Sequence, residues 1–272
     1  MEFLRLKNKE KYLKPALIVI TIIAFCTLVY AVFKDKTARD VDKIVDSGRL
    51  KVLTDNSSLG FKVSNDSVYG FQYEIVKAFA VKLGVELEIS ENDNVSESVD
   101  ELINGDYDIV AALIPVTAEY KTRVLYTNSL QVDRQMLVQR LKDSSVVVRK
   151  QYELAADTIS IPQGSPYKML IDNLSEQIAD TIYVAELKNT IAEVAVKMVA
   201  DGIIKYTLCP ERFAKKMTQL YPNLDISLPL GFQQSSSWVV SKNAPELQRK
   251  LNEFLSDFIG SEEYWKIYRK YF

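Results

Sequence analysis

No histidine occurs anywhere in the 272 residues. That excludes Ser-His-Asp and Cys-His nucleophilic catalysis and every zinc site that needs an imidazole. Two cysteines cannot build a Cys₄ site. Cys26 lies in an N-terminal apolar run and Cys209 far down the chain, so a disulfide between them is not expected and no metal or other cofactor is implied. With only nine glycines there is no Gly-rich low-complexity stretch. Pro15 to Phe33 lacks any charge. Basic excess is also missing from most of the chain. The first 40 residues carry eight Lys/Arg against four Asp/Glu, and the remaining 232 carry 26 against 32. A nucleic-acid footprint needs a basic patch, and none is present. No pair of carboxylates stands out as an acid/base couple, so nothing in the residues points to an enzyme.

What is present is 47% apolar and 26% charged residues, the balance of a globular chain with a sizeable core. The uncharged run 15–33 is long enough to span a hydrocarbon core of about 30 Å. Arg5, Lys7, Lys9, Lys11 and Lys14 precede it against Glu2 and Glu10. The positive-inside rule therefore expects a cytoplasmic basic tail over 1–14, a transmembrane signal anchor over 15–33 and a spacer over 34–46. All that follows would lie in the periplasm or outside, as a single-pass protein of the cytoplasmic membrane. Cleavage after Ala31 and lipidation at Cys26 stay open as alternatives.

Beyond the spacer, strand and helix signals alternate. Arg49–Leu53 alternates as a strand and ends in the polar loop Thr54–Ser58. Gly70-Phe71 opens an amphipathic helix that Gly84 closes. Val85–Ile89 is a second strand, Val99–Ile103 ends a helix, and Asp108–Leu113 is a third strand that stops at Pro115. Strand, helix, strand, helix, strand is a doubly wound pattern. A second set follows, with a strand at Thr158–Ile161 and the turn Gln163-Gly164-Ser165. Ser165 is read as the N-cap and Pro166 as the first helical residue. Further segments are Ile182–Val184, Thr190–Ala200 and Tyr206–Leu208; Ile226–Leu230 and Ser237–Val240 lead back to the first set, and a helix over Glu246–Phe258 follows. The aromatic segment Glu263–Phe272 reads as core. The expected fold class is α/β, a two-lobed clamp with lobe 1 at 47–139 plus 229–272 and lobe 2 at 140–228.

From about Arg49 to Phe272 the chain resembles the family 3 extracellular solute-binding proteins, which have the type 2 periplasmic-binding fold. The resemblance rests on an ordered set: Leu50-Lys51-Val52 with Thr54-Asp55, Gly70-Phe71-Gln72-Tyr73-Glu74, Leu83-Gly84-Val85, Leu102 to Asp108, Thr117 to Val124, Tyr126 to Ser129, Gln135 to Val138 and Gly164-Ser165. Tyr221 to Asp225, Leu230-Gly231-Phe232, Trp238-Val239-Val240, Leu251-Asn252 and Tyr271-Phe272 look like the branch formed by the solute-binding-like domain of lytic transglycosylase F. In that branch a catalytic domain with an essential glutamate follows, about where this chain stops. The resemblance therefore implies a non-catalytic, membrane-anchored domain. It would bind or sense a small ligand, such as a cell-wall peptide fragment, or dock a cell-wall enzyme. The alternative is the substrate receptor of an amino-acid-type ABC transporter, whose partner is a permease.

The resemblance also places candidate ligand-binding residues. Asp55, Ser58 and Tyr73 would line lobe 1. Thr117 opens the segment that carries the family's carboxylate-gripping arginine, and here Tyr120 stands at that position. Its hydroxyl could donate one hydrogen bond, and Arg123, a turn further on, could replace the lost charge. In lobe 2, Pro210 stands at the position of the family's amine-binding aspartate, with Glu211 beside it as a substitute. Gly164 and Ser165 open a helix whose free N–H groups could take an anion. With both charged grips replaced, free amino acids are expected to be poor ligands.

Overall fold

The strand Arg49–Thr54 (β1) is the hub of the molecule. It pairs in parallel with Glu86–Glu91 (β4) on one side and Ile109–Pro115 (β5) on the other. The computed structural model describes residues 38–64, 67–141 and 147–272, all within the compact unit Thr37–Phe272. The anchor expected over 15–33 lies outside the described residues. Among the described residues no helix is long and apolar enough to cross a membrane.

Lys62–Ser64 (β2) and Ser67–Tyr69 (β3) form a small hairpin ahead of the helix Phe71–Leu83 (α2), and Val41–Ser47 (α1) precedes β1. Val95–Ile103 (α3) and the short Ala118–Lys121 (α4) flank β5, and Val124–Tyr126 (β6) follows. Phe71, Ile75, Val76, Phe79 and Ala80 share one face of α2. They are buried with Trp238, Leu251, Phe254 and Tyr264 in the main core of lobe 1. The expected Gly84 cap is present: φ is 77°, and its N–H bonds the carbonyls of Ala80 and Val81.

Two strands tie the lobes together. Gln131–Arg140 (β7) and Pro229–Ser241 (β12) pair antiparallel inside an eight-stranded sheet with Tyr206–Pro210 (β10) at one end and β4 at the other. β12 begins and ends in different cores. On β12, Leu230 packs in a lobe 2 cluster with Ile159 and Leu208, whereas Trp238 and Val240 pack in lobe 1. On β7, Met136, Leu137 and Val138 already belong to lobe 2 cores, so the chain changes lobe nearer Gln131 than residue 139. The segments expected separately at 226–230 and 237–240 are largely one long strand, broken by a bulge between Leu230 and Gln234.

Lobe 2 adds the parallel pair Thr158–Pro162 (β8) and Tyr183–Leu187 (β9), and the short Leu224–Asp225 (β11) pairs antiparallel with β7. It is covered by Tyr167–Ile178 (α5), Ala192–Asp201 (α6) and Glu211–Leu220 (α7). Pro245–Phe258 (α8) and Glu262–Tyr271 (α9) return the chain to lobe 1. Most of the last aromatics are core as expected: Tyr264, Tyr268, Tyr271 and Phe272 all set their rings edge-on to Phe71, whereas Trp265 is exposed on the outer face of α9.

Candidate functional site

The loop after β1 is laid over the start of α2. The amides of Gln72 and Tyr73 donate to the carbonyls of Leu59 and Gly60 at 2.8 and 3.2 Å, which meets helix donors that no side chain caps. Ser57 Oγ accepts from the amides of Leu59 and Gly60 and donates to Asp55. A Cβ on Gly60 would lie 2.1 Å from the Asp55 carbonyl oxygen, so only glycine permits the loop this closely. The result is a fixed Asp55 at the C-terminal end of a parallel strand, where open α/β sheets take ligands.

Asp55 faces a cavity of about 130 Å³ between the lobes. Lobe 1 lines it with Asp55, Ser57, Leu59, Gln72, Asp93, Val95, Ala112 and Leu113. Lobe 2 closes it with Pro162, Ser165, Pro166, Tyr167, Thr190 to Glu193, Pro210 and Phe213. The mouth is latched. Glu193 Oε1 accepts from the Ser58 amide at 3.1 Å and from the Ser58 hydroxyl. Asn94 lies so close to Gly164 that a Cβ there would come within 1.7 Å of its amide oxygen. Further out, Arg212 donates to the Tyr268 hydroxyl at 3.2 Å and Lys216 to the Tyr271 carbonyl at 2.8 Å. The clamp is closed.

The cavity carries three carboxylates, Asp55, Asp93 and Glu193, and no lysine or arginine among the described residues lines it. Burial, with repulsion from Asp93 and Glu193, raises the Asp55 carboxyl to about 6, against the hydroxyl of Ser57, which holds it down. Burial likewise pushes up the Tyr167 phenol and the Cys209 thiol, so Cys209 is an inert core group. Three side chains that line the cavity each have a buried atom with no hydrogen-bond partner among the described residues: Gln72 Nε2, Glu193 Oε2 and Ser165 Oγ. Gln72 is only 1% exposed, and its Oε1 accepts from Trp238 Nε1 at 2.6 Å, leaving the amide nitrogen unmet.

Of the candidates read from the sequence, Asp55 and Ser165 line the cavity, and Ser58 sits at its latch. Ser165 is not an N-cap. The helix begins one residue later with Pro166 in the capping position, and the Ser165 hydroxyl stays unpaired. Gly164 supplies the close approach to Asn94. Tyr73 turns away from the cavity and sets its ring against Phe61, centroids 5.3 Å apart. Thr117 caps α4, its hydroxyl accepting from the Tyr120 amide at 3.3 Å. Tyr120 does not reach the cavity: its ring is 7% exposed and packs with Val99, Leu102 and Val124, because a phenol, unlike a guanidinium, is at home in an apolar cluster. Arg123 is paired with Asp100 at the surface and supplies no substitute charge to the cleft. Glu211 is held by Arg134 at 2.6 Å and Lys215 at 2.7 Å, which keep its carboxyl below the usual range.

Gln72, Asp93, Glu193 and Phe213 were not legible as site residues. Asp93 carried one signal, its place in a polar loop at the end of β4.

The model for bacterial extracellular solute-binding proteins, family 3, matches residues 50–272. The membrane-bound lytic murein transglycosylase F of Desulfosudis oleivorans is 26% identical over 230 residues, covering 85% of this chain and 50% of that protein. The protein of the same name from Photobacterium profundum is 26% identical over 268 residues, covering 97% of this chain and 51% of its own length. The chain thus spans about half the length of these relatives. Among solved structures, an amino acid ABC transporter substrate-binding protein from Streptococcus pneumoniae bound to L-arginine superposes with a TM-score of 0.72 at 18% identity, covering 84% of this chain and 96% of that one. An ancestral arginine-binding protein bound to arginine gives 0.71 at 24% identity, covering 83% and 98%. These likenesses carry the two-lobed α/β fold, and the family match is decisive: the chain belongs to the bacterial extracellular solute-binding proteins, family 3.

Proposed function

We propose that this chain is a non-catalytic solute-binding domain that recognises a small molecule between its lobes. In this reading it is held on the outer face of the cytoplasmic membrane by residues 15–33. The observation that carries the proposal is the cavity itself: a space between the lobes at a strand C-terminus, lined by Gln72 and Glu193, each of which keeps a buried atom without a hydrogen-bond partner. The relationship to lytic transglycosylase F supports a sensing role beside a cell-wall enzyme, with a cell-wall peptide fragment as one candidate ligand. The structural likeness to an ABC transporter substrate-binding protein keeps the transport receptor as the second reading.

The test is a thermal-shift panel of amines, amides, sugars and peptides against the parent chain and the Ala192→Trp variant, in which an indole fills the cavity. A ligand that stabilises the parent and not the plugged variant is the expected result. If no compound distinguishes the two, the cleft is not a ligand site. The anchor is tested separately: the protein should resist carbonate extraction from membranes and its domain should be protease-accessible only from outside. Release as a soluble species beginning at Val32 would show a cleaved leader instead.

A further inference from the structure

We infer that the interlobe cavity selects a small primary ammonium that carries a neutral oxygen acceptor, as an amino amide does, and rejects the corresponding carboxylate. The inference rests on the cleft being a ligand site and adds what chemistry fits there. The charge argument comes first. Asp55, Asp93 and Glu193 all line the cavity, and no lysine or arginine among the described residues does so. Two guanidinium groups of the flanking segments are engaged elsewhere, Arg123 with Asp100 and Arg134 with Glu211. A cation would be held; a carboxylate would meet three like charges with no counter-ion.

The unmet atoms refine this. Glu193 spends Oε1 on Ser58 and leaves Oε2 buried without a donor. Gln72 spends Oε1 on Trp238 and leaves Nε2, at 1% residue exposure, without an acceptor. Both residues line the cavity, and with these side chains turned toward it a ligand N–H would satisfy Glu193 Oε2 and a ligand oxygen Gln72 Nε2. An ammonium alone answers only the first, and an amino acid answers the second with a charge the site repels. An amino amide answers both. About 130 Å³ admits on the order of ten non-hydrogen atoms, and Ala112, Leu113, Ile191 and Phe213 suit a short alkyl group.

The acid that must be ionised also fits. Asp55 faces Asp93 and Glu193, with the Ser57 hydroxyl on its own loop and the Tyr167 phenol across the cavity. Its carboxyl, raised to about 6, would lose its proton to make room for a cation. Affinity should therefore rise with pH up to about 6 and level off above it.

Matched pairs test this on the full chain without any mutation. Isothermal titration calorimetry at pH 7 compares L-alaninamide and glycinamide with L-alanine, glycine and N-acetyl-L-alaninamide. At least one amino amide should bind about tenfold or more tightly than its amino acid and than the acetylated amide. Its binding should shift Trp238 fluorescence through Gln72, weaken about tenfold in Glu193→Gln, and vanish in Ala192→Trp. Alanine binding as tightly as alaninamide, with the plug abolishing both, overturns the selectivity and leaves the cleft a ligand site. Failure of both amides to bind, or binding that survives the plug, overturns the inference outright.

Discussion

At the scale of single residues, Asp55 decides how the closed clamp responds to pH. Its carboxyl is raised from 3.8 to about 6 in the folded chain, mainly by burial. The folded state therefore holds this proton more tightly than the unfolded state does. The contribution of Asp55 to stability is fully present below about pH 4 and is lost as pH rises to about 6. A rise of about two units corresponds to roughly 3 kcal/mol at most. Asp55→Asn removes the charge while keeping the shape. It should leave the ligand-free chain little changed near pH 4 and more stable than the parent above pH 6. Melting curves of both proteins at the two pH values check this, and an equal gap at both would refute it. Gly164 is the other decisive residue. A side chain there meets Asn94 within 1.7 Å and sits at φ 69°, so Gly164→Ala should hold the lobes apart, visible as a larger radius of gyration in solution scattering. An unchanged radius would mean that this contact does not gate closure.

At the scale of elements, helix ends hold the scaffold that carries the site. Asp40 serves two of them. Its carboxylate accepts from the Val41 amide at 2.9 Å at the start of α1, and from the amides of Leu247 at 2.7 Å and Glu246 at 3.2 Å in the first turn of α8. Asp40→Ala should cost about 1–2 kcal/mol, or several degrees in Tm for a domain of this size, with the cavity unaltered. A Tm within a degree of the parent would show that both helix starts are satisfied without it. One position away, Arg39 donates through Nε to Asp108 at 2.9 Å, and Asp108 also accepts from the Lys51 amide at 2.8 Å. Asp108 is 3% exposed. Asp108→Ala strips a partner from a half-buried guanidinium and a strand amide, so about 3 kcal/mol of destabilisation in urea titration is expected. The pair explains how residues before β1 are tied to its neighbour β5.

At the scale of the whole molecule, β12 runs from one core into the other with β7 paired beside it, and the site exists only where the lobes they join meet. The contacts across the mouth come from distant parts of the chain: Ser58 with Glu193, Arg212 with Tyr268, Lys216 with the Tyr271 carbonyl. Closing the cleft sets the Glu193 carboxylate beside Asp55 and Asp93, with no lysine or arginine among the described residues lining the space, so the closed form should need a cation for full stability. For the same reason, none of the twenty free amino acids at about 1 mM should raise the Tm. Clear stabilisation by one of them would favour the transport-receptor reading and show that a carboxylate finds a grip elsewhere in the cleft.

Much of the fold was legible along the chain. Alternation at Arg49–Leu53, the helical spacing after Phe71 and the Gly84 cap each depend on neighbours a few residues away, and the ordered motifs between Arg49 and Phe272 follow from them. The missing histidine and the uncharged 15–33 run are likewise matters of composition. The candidate site was less legible because it is built by long-range approach. Consecutive residues on a helix differ by about 100° in direction, so whether Gln72 or Tyr73 turns to the cleft depends on how α2 docks, and docking turned Gln72 inward against Trp238. The position that carries an arginine in the family's motif is filled by Tyr120, and the apolar cluster around Val99 and Leu102 drew its ring into the core. Glu193 reads in sequence as an ordinary first-turn acid. It becomes a latch and an unmet acceptor only because lobe closure sets it against Ser58, 135 positions earlier. Local patterns thus determined the elements and their order, and the burial of charges and amides between two lobes determined which side chains can meet a ligand.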